Sequence, residues 1–283
     1  MAKAHRPKTE RLGLNVVSVS DLHCGCRLGL CSEAAPLDDG GEYRPSKFQR
    51  KTFEWWSEFW SKWVPQVTKR EPWALVVNGD ALDGVHHNSV TQISHNMEDQ
   101  LRIAEAILAP VVRKASAYYH IRGTEAHVGK SGQFVEMLAK RLGAIPNEEG
   151  QHARQSLFAR VGKHLVHFAH HIGVSSSPFA KSSALQRELT RGYVQSGRWG
   201  DEPPVMYVRS HRHVCSEVRE PSRDGWTSTV VTPGWQGSTP FTHRLGLSIE
   251  MPEFGGILIR SGDEEIFTRA KVWRIERPKE VVI

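Results

Sequence analysis

Long apolar runs are missing from this chain of 283 residues. Stretches such as Ala74–Val77 and Leu108–Val112 are only a few residues long, against the roughly 20 that a bilayer-spanning helix needs. A membrane-spanning helix is therefore excluded. Cysteine is scarce. Cys24, Cys26, Cys31 and Cys215 are too few for a disulfide scaffold, and reduced thiols are expected. The C-x-C-x₄-C spacing of the first three has no second knuckle to complete a zinc site. Internal repeats and low-complexity segments are absent. The opening residues, MAKAHRPKTER, are basic and polar with no apolar segment behind them, so no secretory signal and a cytoplasmic location are expected. Acidic excess is also lacking: 37 Lys+Arg against 31 Asp+Glu leave a net charge of +6. The basic residues are dispersed, which suits an anionic partner without pointing strongly to a nucleic-acid groove. With 39% hydrophobic and 24% charged residues, the composition is that of a globular protein and excludes a disordered one.

The elements follow from periodicity. Residues 1–11 read as a disordered basic tail, and 12–283 as a single domain with loop insertions near 27–46 and 173–204. Leu14–Ser20 and Ala74–Asn78 read as buried strands, stopping at Asp21 and at Gly79-Asp80. Lys47–Val64 reads as a helix with Pro65 beyond its end. Within it Trp56, Phe59, Trp60 and Trp63 form one stripe. Aromatics near Lys51 and Lys62 can stack on bases, but the helical spacing favours a core face, with Trp55 off the stripe. Asn96 reads as an N-cap with Asp99 completing a capping box, ahead of a helix through Leu108. Ala115–Ile121 is a third strand, and Phe134–Leu142 a helix closed by Gly143. Leu157–Val161 and His164–Ala169 form a hairpin, and Ser182–Tyr193 a helix. Val205–Arg209, Ser228–Val231 and Gly256–Ile259 are further strands. Strand–helix alternation followed by a strand-rich half predicts two packed sheets covered by helices.

Histidine is abundant, at 15 residues. Five strands finish in chemistry-bearing residues: Asp21-Leu22-His23; Asp80-Ala81-Leu82-Asp83; Gly123-Thr124-Glu125-Ala126-His127; His170-His171; and His211-Arg212-His213. Ligands bind beyond the carboxyl ends of strands in open α/β sheets, so these ends can converge on one site. Mixed carboxylate and imidazole donors suit Mn, Fe or Zn better than Mg or Ca. The donors outnumber what one ion needs, and two divalent ions sharing Asp80 account for the surplus.

The ordered set D-x-H, G-D-x-x-D, a Gly-led turn, H and H-x-H resembles the calcineurin-like metallophosphoesterase superfamily over about Leu14 to His213. The G-T-x-x-H turn, the Asp83-Gly84 step with His86-His87, and Thr232-Pro233-Gly234-Trp235-Gln236 are similar to uncharacterised phage and prophage members, which would place the protein in a host cytoplasm. The resemblance implies a four-layer α/β/β/α sandwich of two mixed sheets. It gives Asp21, His23 and His213 to one metal, His170 and His211 to a second, and Asp80 to both. Asp83 would orient ligands or the bridging water. The implied reaction is hydrolysis of a phosphate ester by a hydroxide held between the ions, with manganese favoured.

Two departures stand out. Thr124 offers only a hydroxyl where the family has an amide ligand, and no imidazole follows it directly. Glu125 or His127 could fill the coordination gap, or His127 could serve as the general acid, the role preferred here. Ser210 replaces a glycine, with an expected cost only in backbone freedom. His170 is favoured over His171 as ligand, since neighbours on a strand point to opposite faces. His86, His87, Glu125 and His171 are candidates for substrate contact. The substrate expected is a phosphodiester, DNA or RNA. A phosphomonoesterase and a non-catalytic binding module are the alternatives, because fold does not choose among them.

Overall fold

The protein is described here by a computed structural model covering residues 10–11, 13–32, 34–86, 89–129, 131–173, 181–222, 225–244 and 251–276. The strands are β1 (Glu10–Arg11), β2 (Asn15–Val19), β3 (Ala35–Pro36), β4 (Glu42–Tyr43), β5 (Ala74–Asn78), β6 (Ala117–Ile121), β7 (Ala153–Arg154), β8 (Ser156–Val161), β9 (His164–Ala169), β10 (Met206–Arg209), β11 (Ser216–Ser222), β12 (Gly225–Val231), β13 (Glu253–Ser261) and β14 (Ile266–Arg274). The helices are α1 (Lys47–Glu58), α2 (Val64–Val67), α3 (Met97–Val112), α4 (Glu125–Val128), α5 (Gln133–Arg141), α6 (Lys181–Trp199) and α7 (Pro240–Arg244), with a π-helical turn at Phe59–Trp63 between α1 and α2.

Two six-stranded mixed sheets form the body. Sheet I runs β14-β13-β2-β5-β6-β7 and sheet II runs β1-β8-β9-β10-β12-β11. β2, β5 and β6 pair in parallel, as do β9, β10 and β12, so each sheet sends its carboxyl ends in a common direction. β2 and β5 are buried throughout, as strands covered on both faces must be. Their side chains alternate. Val17, Val19, Leu75 and Val77 face the helices, in one core with Trp56, Phe59, Leu101, Ile107 and Leu138. Val16, Ala74 and Val76 face sheet II, in a second core with Phe168, Val166 and Val208. On the far side α6 lays Ala184 and Leu185 against Val231. The layers are thus α/β/β/α, as expected.

Several local expectations change. The helix starting at Lys47 continues through Pro65 to Val67. The π turn shifts the ladder, the Val64 N–H bonding to the Phe59 carbonyl, and Pro65 then stands in the first turn of α2, where no N–H is needed. Asn96 caps α3 by accepting from the Glu98 N–H at 2.9 Å. The capping box does not form, because Asp99 turns to the Asp38 N–H (2.8 Å) and the Ser94 hydroxyl (2.6 Å). Glu10–Arg11, inside the stretch expected as a tail, pairs in parallel with β8, while residues 1–9 lie outside the described residues. The aromatic stripe is core: Trp56, Phe59 and Trp60 are buried, and Trp55 packs on Phe254 and stacks on Trp273. Cys24, Cys26 and Cys31 are buried free thiols, with burial pushing Cys26 up to about 11 and Cys31 to about 12. Among the described residues no helix is long and apolar enough to cross a membrane.

Candidate metal centre

The five strand ends meet where the carboxyl edges of the two sheets face each other. A buried polar chain ties those edges together. The Asn78 amide, ending β5, donates to the Ala169 carbonyl (3.2 Å) and to Ser210 Oγ (2.7 Å) across the sheet interface. Ser210 Oγ lies 2.8 Å from Thr232 Oγ1, which lies 2.6 Å from Ser20 Oγ. The Ser20 hydroxyl also reaches Asp21 Oδ2 at 2.6 Å. Ser210 therefore does more than restrict the backbone: its hydroxyl is a link between the sheets.

On this platform Asp21, Asp80, Asp83, His23 and His170 are all buried. Ligand-type atoms fall into four groups whose members lie within 4.8 Å of one another: Asp21-His23-His213; Asp80-His170-His211; His23-Asp80-His127; and Asp83-His86-His127. Asp80 lies in two of them, facing His170 and His211 on one side and His23 and His127 on the other. His170 Nε2 stands 2.9 Å from Asp80 Oδ2, and His213 Nε2 stands 3.2 Å from Asp21 Oδ1. Thr124 closes the second group: its hydroxyl donates to Asp80 Oδ2 (3.0 Å), and its Oγ1 lies 3.4 Å from His170 Nε2 and 3.3 Å from His211 Nδ1.

Three imidazoles share one arrangement. Nδ1 of His23 donates to Asp83 Oδ1 (3.2 Å), Nδ1 of His170 to the Asn78 carbonyl (2.7 Å), and Nδ1 of His127 to the Asp83 carbonyl (2.7 Å). The acceptor at Nδ1 orients each ring so that Nε2 faces the cluster, the arrangement of a nitrogen ligand held by an outer acceptor.

The backbone is strained at this place. Seven non-glycine residues among those described adopt positive φ, and five are Asp21 (54°), His23 (46°), Asp80 (49°), His211 (73°) and His213 (54°). Left-handed backbone costs ordinary residues about 1–3 kcal/mol each and is held only where the surroundings dictate it. Two glycines let the strand ends close up. A Cβ on Gly79, which itself has φ +94°, would lie 2.2 Å from His170 Nδ1, and one on Gly123 would lie 1.8 Å from Asp80 Oδ1.

Electrostatics point the same way. Burial alone would push Asp21 and Asp80 up, yet His213 and His170 beside Asp21, and His170 and His127 beside Asp80, hold both carboxyls below the usual range. Burial would lower His170, but the carboxylates of Asp80 and Asp21 raise it to about 9. Burial wins at His127 and His211, each lowered to about 4. Three buried carboxylates in contact with imidazoles form a site that calls for positive charge. A divalent cation fits it on two counts. The donors are mixed oxygen and nitrogen. In addition, His23 Nε2, which belongs to the first group, is buried with no hydrogen-bond partner.

The remaining candidates separate. His86 and His127 line a cleft of about 840 Å³ that opens over the cluster, together with Lys181, Arg212 and Phe241. His127 Nε2 stands 4.0 Å from Asp80 Oδ2. Glu125 is not brought in: it is exposed at the start of α4 and is not among the cleft residues. The short helix turns His127 inward instead. His171 is exposed, its ring 4.5 Å from that of His211, and His87 lies outside the described residues. The sequence reading missed Gln92 and Gln236, both buried, whose amides donate to Asp83 at 2.8 and 3.2 Å. Gln236 lies in the Thr232–Gln236 run already singled out, and that run was the available signal.

No protein-family model matches the chain, and no curated protein matches it. Solved structures do. Vacuolar Protein Sorting 29 from Cryptosporidium parvum is 11% identical, with 93% of this chain and 100% of that one covered at a TM-score of 0.34. The Thermotoga maritima protein TM1076 is 9% identical, with 92% and 99% covered at 0.37. These superpositions are loose, and the four-layer architecture rests on the sheets and helices themselves.

Proposed function

We propose that this chain is a metal-dependent phosphoesterase of the calcineurin-like type, holding two divalent ions and acting on a phosphodiester. The observation that carries this reading is the pair of Asp/His clusters that share Asp80 at converging strand ends. Asp21, His23 and His213 would hold one ion. His170, His211 and the Thr124 hydroxyl would hold the other, with Asp80 between them. Manganese suits the mixed donors, with iron or zinc as alternatives. When bound, such a pair polarises phosphoryl oxygens and lowers the pKa of coordinated water.

The chain's own residues supply the rest. Asp83 keeps the proton of His23 on Nδ1, and the Asn78 carbonyl does the same for His170. His127 presents an unprotonated Nε2, the state of a nitrogen donor rather than of an acid, so this reading moves it from the acid role to the metals. The proton for the leaving oxygen is then assigned to His86, which lines the cleft with Nε2 3.7 Å from Asp83 Oδ2. Lys181 and Arg212 on the cleft wall favour an anionic substrate. Together with the net charge of +6, they support a nucleic-acid phosphodiester.

The test is hydrolysis of bis-p-nitrophenyl phosphate beside p-nitrophenyl phosphate after metal stripping and Mn²⁺ addition. Mn²⁺-dependent preference for the diester is expected, followed by cleavage of DNA or RNA. Preference for the monoester would make the protein a phosphatase. Silence on both esters with metal bound would favour a binding module.

A further inference from the structure

Asp83 carries more hydrogen bonds than its position in the sequence motif suggests. Its Oδ1 accepts from His23 Nδ1 and from Gln236 Nε2, each at 3.2 Å, and its Oδ2 accepts from Gln92 Nε2 at 2.8 Å. The carboxylate is therefore committed to three donors, although it lies within ligand reach of His86 and His127. All four side chains of this assembly (His23, Asp83, Gln92 and Gln236) are buried.

Both glutamines sit on segments fixed by backbone bonds on either side. Around Gln92, the Arg27 N–H donates to the Thr91 carbonyl (2.8 Å) and the Ile93 N–H to the Gly25 carbonyl (2.6 Å). Around Gln236, the Trp235 N–H donates to the Asp21 carbonyl (2.9 Å) and the Gly237 N–H to the Leu28 carbonyl (2.8 Å). Trp235 is fully buried and packs edge-on against Trp56 at 5.0 Å. The aromatic core thus reaches the candidate centre through one amide side chain.

We propose that Gln92 and Gln236 are positioning residues: by gripping both oxygens of Asp83 they fix the ring of His23, so that Nε2 faces the first cluster as a ligand for a divalent cation. This rests on the metal-centre reading above. The choice of amide is physically reasonable. It donates to a carboxylate without adding a positive charge that would compete with a cation, whereas an apolar side chain would leave a buried carboxylate oxygen short of a donor.

The experiment uses the full chain with Gln92→Leu and Gln236→Leu made separately. Imidazole ¹⁵N–¹H correlation spectra of the metal-free proteins should show His23 as the Nδ1–H tautomer in wild type and as a mixture in each variant. Titration with Mn²⁺, followed by electron paramagnetic resonance of the free ion, should show one of two sites weakened about 10- to 100-fold, as for other outer-shell partners of metal ligands. The second site should hold, and the metal-free melting temperature should fall only by the few degrees that one donor lost from a buried carboxylate costs. The proposal is overturned if His23 keeps the Nδ1–H form in both variants, or if both sites weaken together with a fallen metal-free melting temperature, the mark of a merely structural role. A wild-type protein that binds no Mn²⁺ overturns the metal-centre reading along with this one. That result is distinct from failure of the clamp alone, in which wild type and variants bind Mn²⁺ alike.

Discussion

The two sheets contribute unequally to the centre. Sheet I lies beneath α1, α3 and α5 and a large apolar core, and it supplies Asp21, Asp80 and Asp83, every carboxylate of the cluster. Among the described residues, sheet II carries α6 alone on its outer side in a small cluster, leaving Phe158 and Trp226 exposed, and it supplies only the imidazoles of His170, His211 and His213. Burying ionised carboxylates is expensive, and a donor that shifts by a fraction of an ångström loses the compensation that makes burial tolerable. The carboxylates stand on the more thickly covered sheet. The thinner one brings imidazoles, of which His170 and His213 are held toward the charged form by the carboxylates they face.

The largest expected effect strikes the residue both clusters share. Asp80→Asn should lower turnover by more than the 10- to 100-fold typical of outer-shell changes, with circular dichroism unchanged. Near-wild-type activity would remove Asp80 from the bridging position. His127→Ala should weaken Mn²⁺ binding at least tenfold if Nε2 is a ligand. Intact binding with a loss concentrated on poor leaving groups would return His127 to the acid role.

Stability should divide along the same line. Phe59→Ala beneath sheet I should cost about 3–5 kcal/mol in denaturant unfolding, whereas Phe158→Ala on sheet II should stay within about 0.5 kcal/mol. Equal losses would break the contrast between the sheets. Two strand histidines, His120 buried and His167 half-buried, sharpen it by pH. Burial lowers His120 in β6 and His167 in β9 from 6.5 to about 3, Arg209 adding to the effect at His167. Between those values the unfolded chain binds protons that the folded chain does not. Stability is therefore full above about pH 6.5 and falls as pH drops toward 3, by up to about 2 kcal/mol per histidine at pH 5. His120→Phe, measured at pH 7 and pH 5, should remove part of that slope. The smaller share belongs to His167, which is less completely enclosed.

How far the sequence could be read follows from the range of the interactions. Buried parallel strands such as Ala74–Asn78 announce themselves as short apolar runs ending in polar residues, and those endings are the residues that the fold brings together in the candidate centre. β11 and β14 escaped because edge strands with one solvated face mix Glu, Arg and Lys into their pattern, as in SEVREPS and IFTRAKVWR. The helix break assigned to Pro65 failed because a π turn one step earlier reset the ladder. Glu125 and His127 could not be separated, since which of them faces inward depends on where a single helical turn begins. The bond from Ser20 to Thr232 spans 212 positions, and no local pattern encodes it.

The left-handed backbone at Asp21, His23, Asp80, His211 and His213 has a consequence for anyone wishing to transplant this centre. Copying the donor atoms onto another scaffold would not be enough, because these five candidate donors leave their strands through turns that their residue types resist. A graft would have to import the turns and the interlocked sheet edges that enforce them. Glycine, the usual remedy for such turns, is barred at all five places by the need for a side chain.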